Sequence, residues 1–285
     1  MNLLITGARG FVGNYFITKY AQKYNIERFS FRDNKLLNLD ISQIDTIIHL
    51  SALVHQMGGA RADEYEKTNV IQTLNLANKA KLNKVKHFIF MSSVKVYGEE
   101  TTGVYNEITV CRPQDEYGKS KLKAENELLK LEDENFRISI IRTPIVYGYG
   151  VKANIKNLVS LVQNVPILPF SNISNKRSMV YIGNLCNLVD KIVETKSGGV
   201  FLASDDKPLS TTKLIELISK ELDNKLWLIS IPFFPLLLKL IKPSFYMRLY
   251  ESLEVDNTQT LKKLDCSNIY STEEGIKYMI HGEEI

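Results

Sequence analysis

The first half of the chain alternates short apolar runs with longer stretches whose apolar positions recur at helical spacing. Leu3–Thr6 predicts a buried strand and Phe11–Tyr24 the helix that follows it. Ile26–Phe31 and Thr46–Leu50 predict two more strands, Asp63–Lys81 a helix and His87–Met91 a fourth strand. Glu116–Glu134 predicts a charged helix with Leu122, Leu128, Leu129 and Leu131 on its apolar side, before a strand at Ile138–Arg142. This β-α-β-α order predicts an α/β fold: a doubly wound parallel sheet with right-handed helical crossovers.

Beyond Pro144 the rhythm changes. Helical patterns at Asn154–Gln163, Asn184–Glu194 and Thr211–Leu222 alternate with short strands at Met179–Ile182 and Val200–Leu202. Lys225–Lys242 is very apolar, but Ser230, Pro232, Pro235 and Lys239 break it, and a membrane helix needs about 20 unbroken apolar residues. The expectation is a buried strand–turn–helix of a second domain, with a membrane- or partner-facing surface as the alternative. No internal repeat is present.

Composition narrows the class without naming a chemistry. At 285 residues and 44% hydrophobic, the chain can bury a core without disulfides or metals. Its net charge of +4 is too mild for a nucleic-acid or membrane footprint, though it suits a small anionic ligand. Cys111, Cys186 and Cys266 lack paired spacing, so reduced thiols in a cytoplasmic protein are expected. The four histidines, His49, His55, His87 and His281, form no HxH or HExxH group, and no metal is expected. Met1–Gly7 has no basic n-region or cleavage site of a signal peptide.

The first candidate chemistry is Thr6-Gly7-Ala8-Arg9-Gly10-Phe11-Val12-Gly13, set between the first strand and the first helix. Glycines spaced GxxGxxG serve a tight turn, a close backbone approach to a pyrophosphate, and helix-on-strand packing. The helix N-terminus then offers free N–H groups to the anion. Arg32 lies at the expected end of the second strand and Arg9 in the loop, a pair that favours the 2′-phosphate of NADP(H). Asp33 keeps NAD(H) open, because a one-residue shift makes it the ribose acceptor. Asp40 and Ile41 would meet the adenine edge, and His49-Leu50-Ser51-Ala52 would line the middle of the cofactor.

The second is Ser92-Ser93 at a strand end with Tyr117-Gly118-Lys119-Ser120-Lys121 opening a helix. Tyr117 and Lys121 share one helix face at i,i+4. A phenol of pKa about 10 needs a nearby ammonium to act near neutral pH. A serine hydroxyl then holds the reacting oxygen. Gly118-Lys119-Ser120 is not a P-loop, since Pro113 stands where its upstream glycine belongs, and no GxSxG elbow exists.

TGARGFVG, HLSA, MSSVKVYGE, YGKSK and RTPIVYG, in this order, resemble the extended short-chain dehydrogenase/reductases of the NAD-dependent epimerase/dehydratase family. The resemblance implies a Rossmann domain over 1–150, rejoined by part of 175–205, and an interleaved smaller α/β domain, mainly 151–285, for a UDP-sugar. It implies catalytic roles for Ser93, Tyr117 and Lys121, places Asn69 near the cofactor, and packs Pro144, Ile145 and Val146 on the nicotinamide. A possible homodimer through a four-helix bundle is also implied.

PQDEYGKSK, YGYGVKANIKNLV, NKRSMVYIGNL and FLASDDKPLSTTKLI are similar to bacterial reductases of UDP-4-keto-6-deoxy-HexNAc that serve O-antigen and capsule. That likeness implies that Arg177 grips the diphosphate, helped by Asn154 and Lys152, with Asp256 near the nucleotide. Dehydratases of the family carry Asp-Glu just after the serine, where this chain has Val94 and Lys95. The expected activity is therefore NADPH-dependent reduction of a C4 ketone. A C4-epimerase with bound NAD, and a non-catalytic NADP sensor or scaffold, are the alternatives.

Overall fold

The computed structural model describes residues 1–54, 60–98 and 103–283. His55, and Glu99 at the end of MSSVKVYGE, lie outside the described residues. In chain order the first half runs β1 (Asn2–Thr6), α1 (Phe11–Tyr20), β2 (Asn25–Phe29), β3 (Thr46–His49), α2 (Ala62–Tyr65), a π-helical turn over Glu66–Ile71, and α3 (Gln72–Leu82). It continues with β4 (His87–Ser93), β5 (Val104–Tyr105), α4 (Glu116–Leu129) and β6 (Arg137–Thr143). Then follow β7 (Ile145–Tyr147), α5 (Ala153–Asn164), β8 (Ile167–Leu168), β9 (Met179–Tyr181), α6 (Ile182–Thr195), β10 (Gly199–Leu202) and α7 (Thr211–Glu221). The chain ends with β11 (Trp227–Leu228), α8 (Phe234–Ile241), α9 (Pro243–Tyr250), β12 (Glu254–Val255), α10 (Thr258–Lys263) and α11 (Thr272–His281).

Six strands form one parallel sheet in the order β10-β6-β4-β3-β1-β2. Alternate residues explain why both faces are covered. Leu3, Ile5, Ile48, Ile89 and Ile141 pack with Phe16 of α1 and Leu185 and Val189 of α6. Leu4, Ile47, Phe88, Phe90 and Ile140 point the other way, onto Leu76 and Ala80 of α3 and Leu128 of α4. Strands buried on both sides read as unbroken apolar runs, which is how the sequence shows them. The doubly wound Rossmann-like α/β fold is as expected.

Three elements stop earlier than the apolar pattern predicts, and each stop has a local cause. After Tyr20 the amides of Lys23 and Tyr24 both turn back to its carbonyl, while the Lys23 ammonium and Tyr24 phenol reach Asp190 on α6. After Leu129 the Asp133 carboxylate collects the amides of Asn135 and Phe136 into a tight turn. After Phe29 the Ser30 carbonyl accepts from Asp33 and Asn34, so Phe31–Asp33 leave the sheet. Arg32 is therefore not a strand-end residue; it sits in an exposed turn beyond β2.

β5 and β7 follow the C-terminal ends of β4 and β6, and pair in parallel with β12 and β9. They bring the later third of the chain over that edge. The segment Lys225–Lys242 does form a strand, a turn and a helix, but it is not buried. Trp227, Phe233, Leu236, Leu237, Leu240 and Ile241 are exposed, while Phe234 and Leu238 pack partly onto the core. Among the described residues, no helix is long and apolar enough to cross a membrane.

Candidate active site

The glycine loop turns where sterics leave no alternative. Gly7 has φ +70°, and a Cβ there would lie 2.8 Å from both Leu50 C and Ser51 N, where the chain leaves β3. A Cβ on Gly13 would lie 2.6 Å from the Gly7 carbonyl, so α1 can start against the loop only with glycine there. The Gly10 amide closes the turn on the Gly7 carbonyl at 2.8 Å. The first turn of α1 has no capping side chain and no acidic residue. Its free N–H groups and positive dipole end fit a pyrophosphate, and Phe11 and Val12 are half-buried beside them.

Ser93, Tyr117 and Lys121 come together at the C-terminal end of β4. Ser93 ends that strand, and a 3-10 turn over Val94–Val96 leads the chain away. α4 starts against this turn: a Cβ on Gly118 would lie 2.7 Å from the Lys95 carbonyl. Asp115 caps α4, accepting from the Gly118 amide at 2.6 Å and from Lys95 Nζ at 2.6 Å. One salt bridge thus locks the Ser93 turn to the helix that carries Tyr117. Ser93 acts on the Tyr117 phenol to favour its ionised form, but burial outweighs this and pushes the phenol up. Lys121 is 2% exposed, donates to the Met91 carbonyl at 2.8 Å, and lies 6.0 Å from the Tyr117 ring centroid. Burial pulls its ammonium down to about 7, against the pull of Glu125.

Glu125 is the member that sequence reasoning missed. It lies one turn beyond Lys121 on α4 and is 1% exposed. Arg142 of β6 holds it through Nη2 at 2.6 Å and Nε at 3.2 Å, and the Ser92 hydroxyl donates to its other oxygen. Arg142 Nη1 also donates to the Tyr97 phenol at 2.8 Å. The signal was there: a lone Arg in the buried run Ile138–Thr143 needs a buried acid, and Glu125 is the acid beside Ala124 and Leu128 on α4's inner face.

The structure brings some of the remaining candidates together and spends others on the scaffold. Arg9 lies 3.0 Å from the Asp33 carboxylate, and Arg32, next to Asp33 in the chain, is exposed. Asp40 is exposed, with its carboxylate on the Ser42 amide, whereas the Ile41 side chain lies in the core. Leu50, Ser51 and Ala52 are half-buried beyond β3, with the Ser51 amide on the Thr6 hydroxyl. His49 does not line this path: it is buried between Thr6 and Thr73, and burial keeps it neutral, down to about 3. Asn69, in the π-helical turn, ties both polar groups of Leu53 to Ser120 and so fixes the loop after β3 against α4. Pro144 is buried, while Ile145 and Val146 of β7 keep partial exposure.

Asn154 accepts from Arg248 of α9 at 3.3 Å, next to exposed Lys152. Arg177 Nη1 donates to the carbonyls of Met247 and Glu251, which end α9. Asn154 and Arg177 thus meet on one helix, and Arg177 braces it. Asp256, just past β12, holds the amide and hydroxyl of Thr258 at the start of α10.

Comparison with known proteins gives the same outline. Residues 3–203 match the NAD dependent epimerase/dehydratase family. The UDP-glucose 4-epimerase of Vibrio cholerae is 33% identical over 312 residues, covering 97% of this chain and 93% of that protein. The UDP-2-acetamido-2,6-beta-L-arabino-hexul-4-ose reductase of Pseudomonas aeruginosa is 27% identical, covering 69% and 50%. The structure of UDP-glucuronic acid 4-epimerase from Bacillus cereus in complex with NAD superposes with a TM-score of 0.79 at 20% identity, over 99% of this chain and 98% of that one.

Proposed function

The chain belongs to the NAD dependent epimerase/dehydratase family, and from that premise we propose that it reduces the C4 ketone of a UDP-4-keto-6-deoxy-N-acetylhexosamine with NADPH. The product is a UDP-6-deoxy-HexNAc for surface polysaccharide. Residues 1–150, with part of 175–205, hold the cofactor in this reading, and 151–285 mainly hold the sugar nucleotide. Free Cys111, Cys186 and Cys266 suit a reducing compartment, so the reading sets the enzyme in the cytoplasm.

The observation that carries the direction is the pair of exposed arginines, Arg9 in the glycine loop and Arg32 in the turn beyond β2, which favour a 2′-phosphate and so the reduced cofactor of a net reduction. Burial pushes the Tyr117 phenol up, so it holds a proton to give to a ketone oxygen. When bound, a reduced nicotinamide supplies the hydride that adds to C4. Tyr117 protonates the O4 that gains charge, Ser93 donates a second hydrogen bond to it, and Lys121 steadies the phenolate left behind. Arg9 and Arg32 take the 2′-phosphate of the cofactor. Val94 is apolar and Lys95 is held by Asp115, so neither performs the proton transfers of a C5–C6 elimination.

A second reading, UDP-hexose C4-epimerization with retained NAD, is favoured by the likeness to the Vibrio cholerae epimerase over nearly the whole chain. One assay separates the two. A UDP-4-keto-6-deoxy-HexNAc should consume the reduced-nicotinamide absorbance of NADPH in step with product. Silence there, with interconversion of UDP-glucose and UDP-galactose or of their N-acetyl forms and no net oxidation, would select the epimerase.

A further inference from the structure

We propose that the segment from Trp227 to Phe245 docks the protein on an anionic phospholipid bilayer, lying in the headgroup plane without spanning it. Phe233, Leu236, Leu237, Leu240 and Ile241 recur at helical spacing, and all five are exposed, Phe233 at 81% and Leu240 at 74%. The opposite side of α8, Phe234 and Leu238, packs partly on the core. Lys239 apart, the helix is thus apolar on every side but covered on one only. Trp227, Ile229 and Ile231 before it and Phe245 after it extend the exposed apolar surface. Phe233 is held at φ +62°, in the left-handed region a bulky residue avoids, and so stands its ring out at the start of the helix.

Charge decides the occupant. Residues 224–250 contain Lys225, Lys239, Lys242 and Arg248 and no Asp or Glu, a local concentration of positive charge that the mild net charge of the whole chain does not show. The three lysines are exposed around the apolar stripe. A second copy docking by two-fold symmetry would pair this patch with itself, bringing two sets of lysines into one interface with no acidic residue of the segment to match them. Protein interfaces are also depleted in lysine. An aliphatic face with a lysine fringe and a flanking tryptophan is instead the pattern of helices that lie at a membrane surface. At eight residues, α8 is about 12 Å long, far short of the ~30 Å hydrocarbon core. α9 continues from this surface to Arg248 and to the carbonyls that Arg177 caps, so a docked molecule would hold the proposed sugar-nucleotide residues close to the headgroups.

Trp227 is the chain's single tryptophan, so the native protein carries its own probe. With phosphatidylglycerol–phosphatidylethanolamine vesicles, the full chain should co-sediment and its emission should shift to the blue. With phosphatidylcholine vesicles or at high salt, both signals should weaken. Replacing Lys239 and Lys242 by glutamine should weaken binding about fivefold for each lysine removed. Leu236→Ser with Leu240→Ser should abolish binding while the thermal midpoint holds, since these side chains already face solvent. A chain that stays in the supernatant with unshifted emission overturns the proposal. So does a wild-type dimer that the leucine variant converts to monomer without vesicle binding. Neither readout requires turnover, so the result stands apart from the proposed reaction.

Discussion

Arg142 grips Glu125 one helical turn beyond Lys121, with Nη2 2.6 Å from Oε2 and both groups almost fully buried. The pair joins the helix carrying Tyr117 and Lys121 to the sheet, and Ser92 completes it from the strand that ends in Ser93. Removing one partner leaves a buried charge alone. Arg142→Met or Glu125→Gln should therefore cost about 3–5 kcal/mol in urea unfolding. Replacing both with apolar residues of similar volume should recover most of that loss. Additive losses in the double variant would show that the pair is not energetically coupled.

Tyr117→Phe removes the proposed proton donor and keeps the ring. Turnover should fall by about 10²–10⁴, while binding of the UDP-sugar, read by calorimetry, should stay within a few-fold of wild type. Full activity in this variant sinks the acid role.

Burying the Lys121 ammonium costs stability, and the proposed reaction gives that cost a use. Burial pulls its folded value down to about 7, below the ordinary 10.5 of a lysine, so between those limits the unfolded chain holds a proton that the folded chain has lost. Stability therefore rises with pH across that window, and the whole penalty is present below it. Lys121→Met should abolish turnover yet raise the melting temperature at pH 7. The gain should be on the order of 1–3 kcal/mol, and it should shrink as the pH approaches 10.5. A destabilised variant at pH 7 would mean that the bond to the Met91 carbonyl outweighs the burial cost.

What could be read from the chain, and what could not, follows from how local each constraint is. β1, β3, β4 and β6 are buried on both faces, so their runs of Ile, Leu and Phe announce them. The glycine loop and the Tyr117–Lys121 spacing are also short-range facts. The turn at Ser30 was hidden because Phe29-Ser30-Phe31 keeps strand alternation while a backbone carbonyl ends the strand. Glu125 and Arg142 sit 17 residues apart on different elements, and Arg177 finds its carbonyls 70 and 74 residues away. The apolar run after Lys225 marked α8 correctly, but periodicity reports which side of a helix is apolar, not whether anything covers it.

Gly7 and Gly103 make a matched pair. Gly7→Ala forces φ +70° on an L residue and sets its Cβ 2.8 Å from the backbone at Leu50 and Ser51. It should cost more than about 1 kcal/mol and weaken cofactor binding. Among the described residues, a Cβ on Gly103 meets nothing within 4 Å, and Gly103→Ala should stay within about 0.5 kcal/mol. Equal melting temperatures for the two variants would remove the steric account of the loop.

In the proposed reading, cofactor choice rests on Arg9, Arg32 and Asp33. Arg9 pairs with Asp33 at 3.0 Å, but both are well exposed, so the pair is weak and either partner can exchange it for a ligand. A 2′-phosphate would draw Arg9 and Arg32 together, and a 2′-hydroxyl would instead be bound by the Asp33 carboxylate. Arg32→Ala should therefore lower kcat/KM for NADPH by about 10–100-fold and leave NADH nearly unchanged, the span expected for one hydrogen bond to a charged group. Arg9→Ala should do the same and, by freeing Asp33, also improve NADH. Asp33→Asn should act in the opposite sense, favouring NADPH further. If both arginine variants keep the wild-type ratio of the two cofactors, the 2′-position is not read at this turn. The case for net reduction over epimerization then loses its electrostatic support.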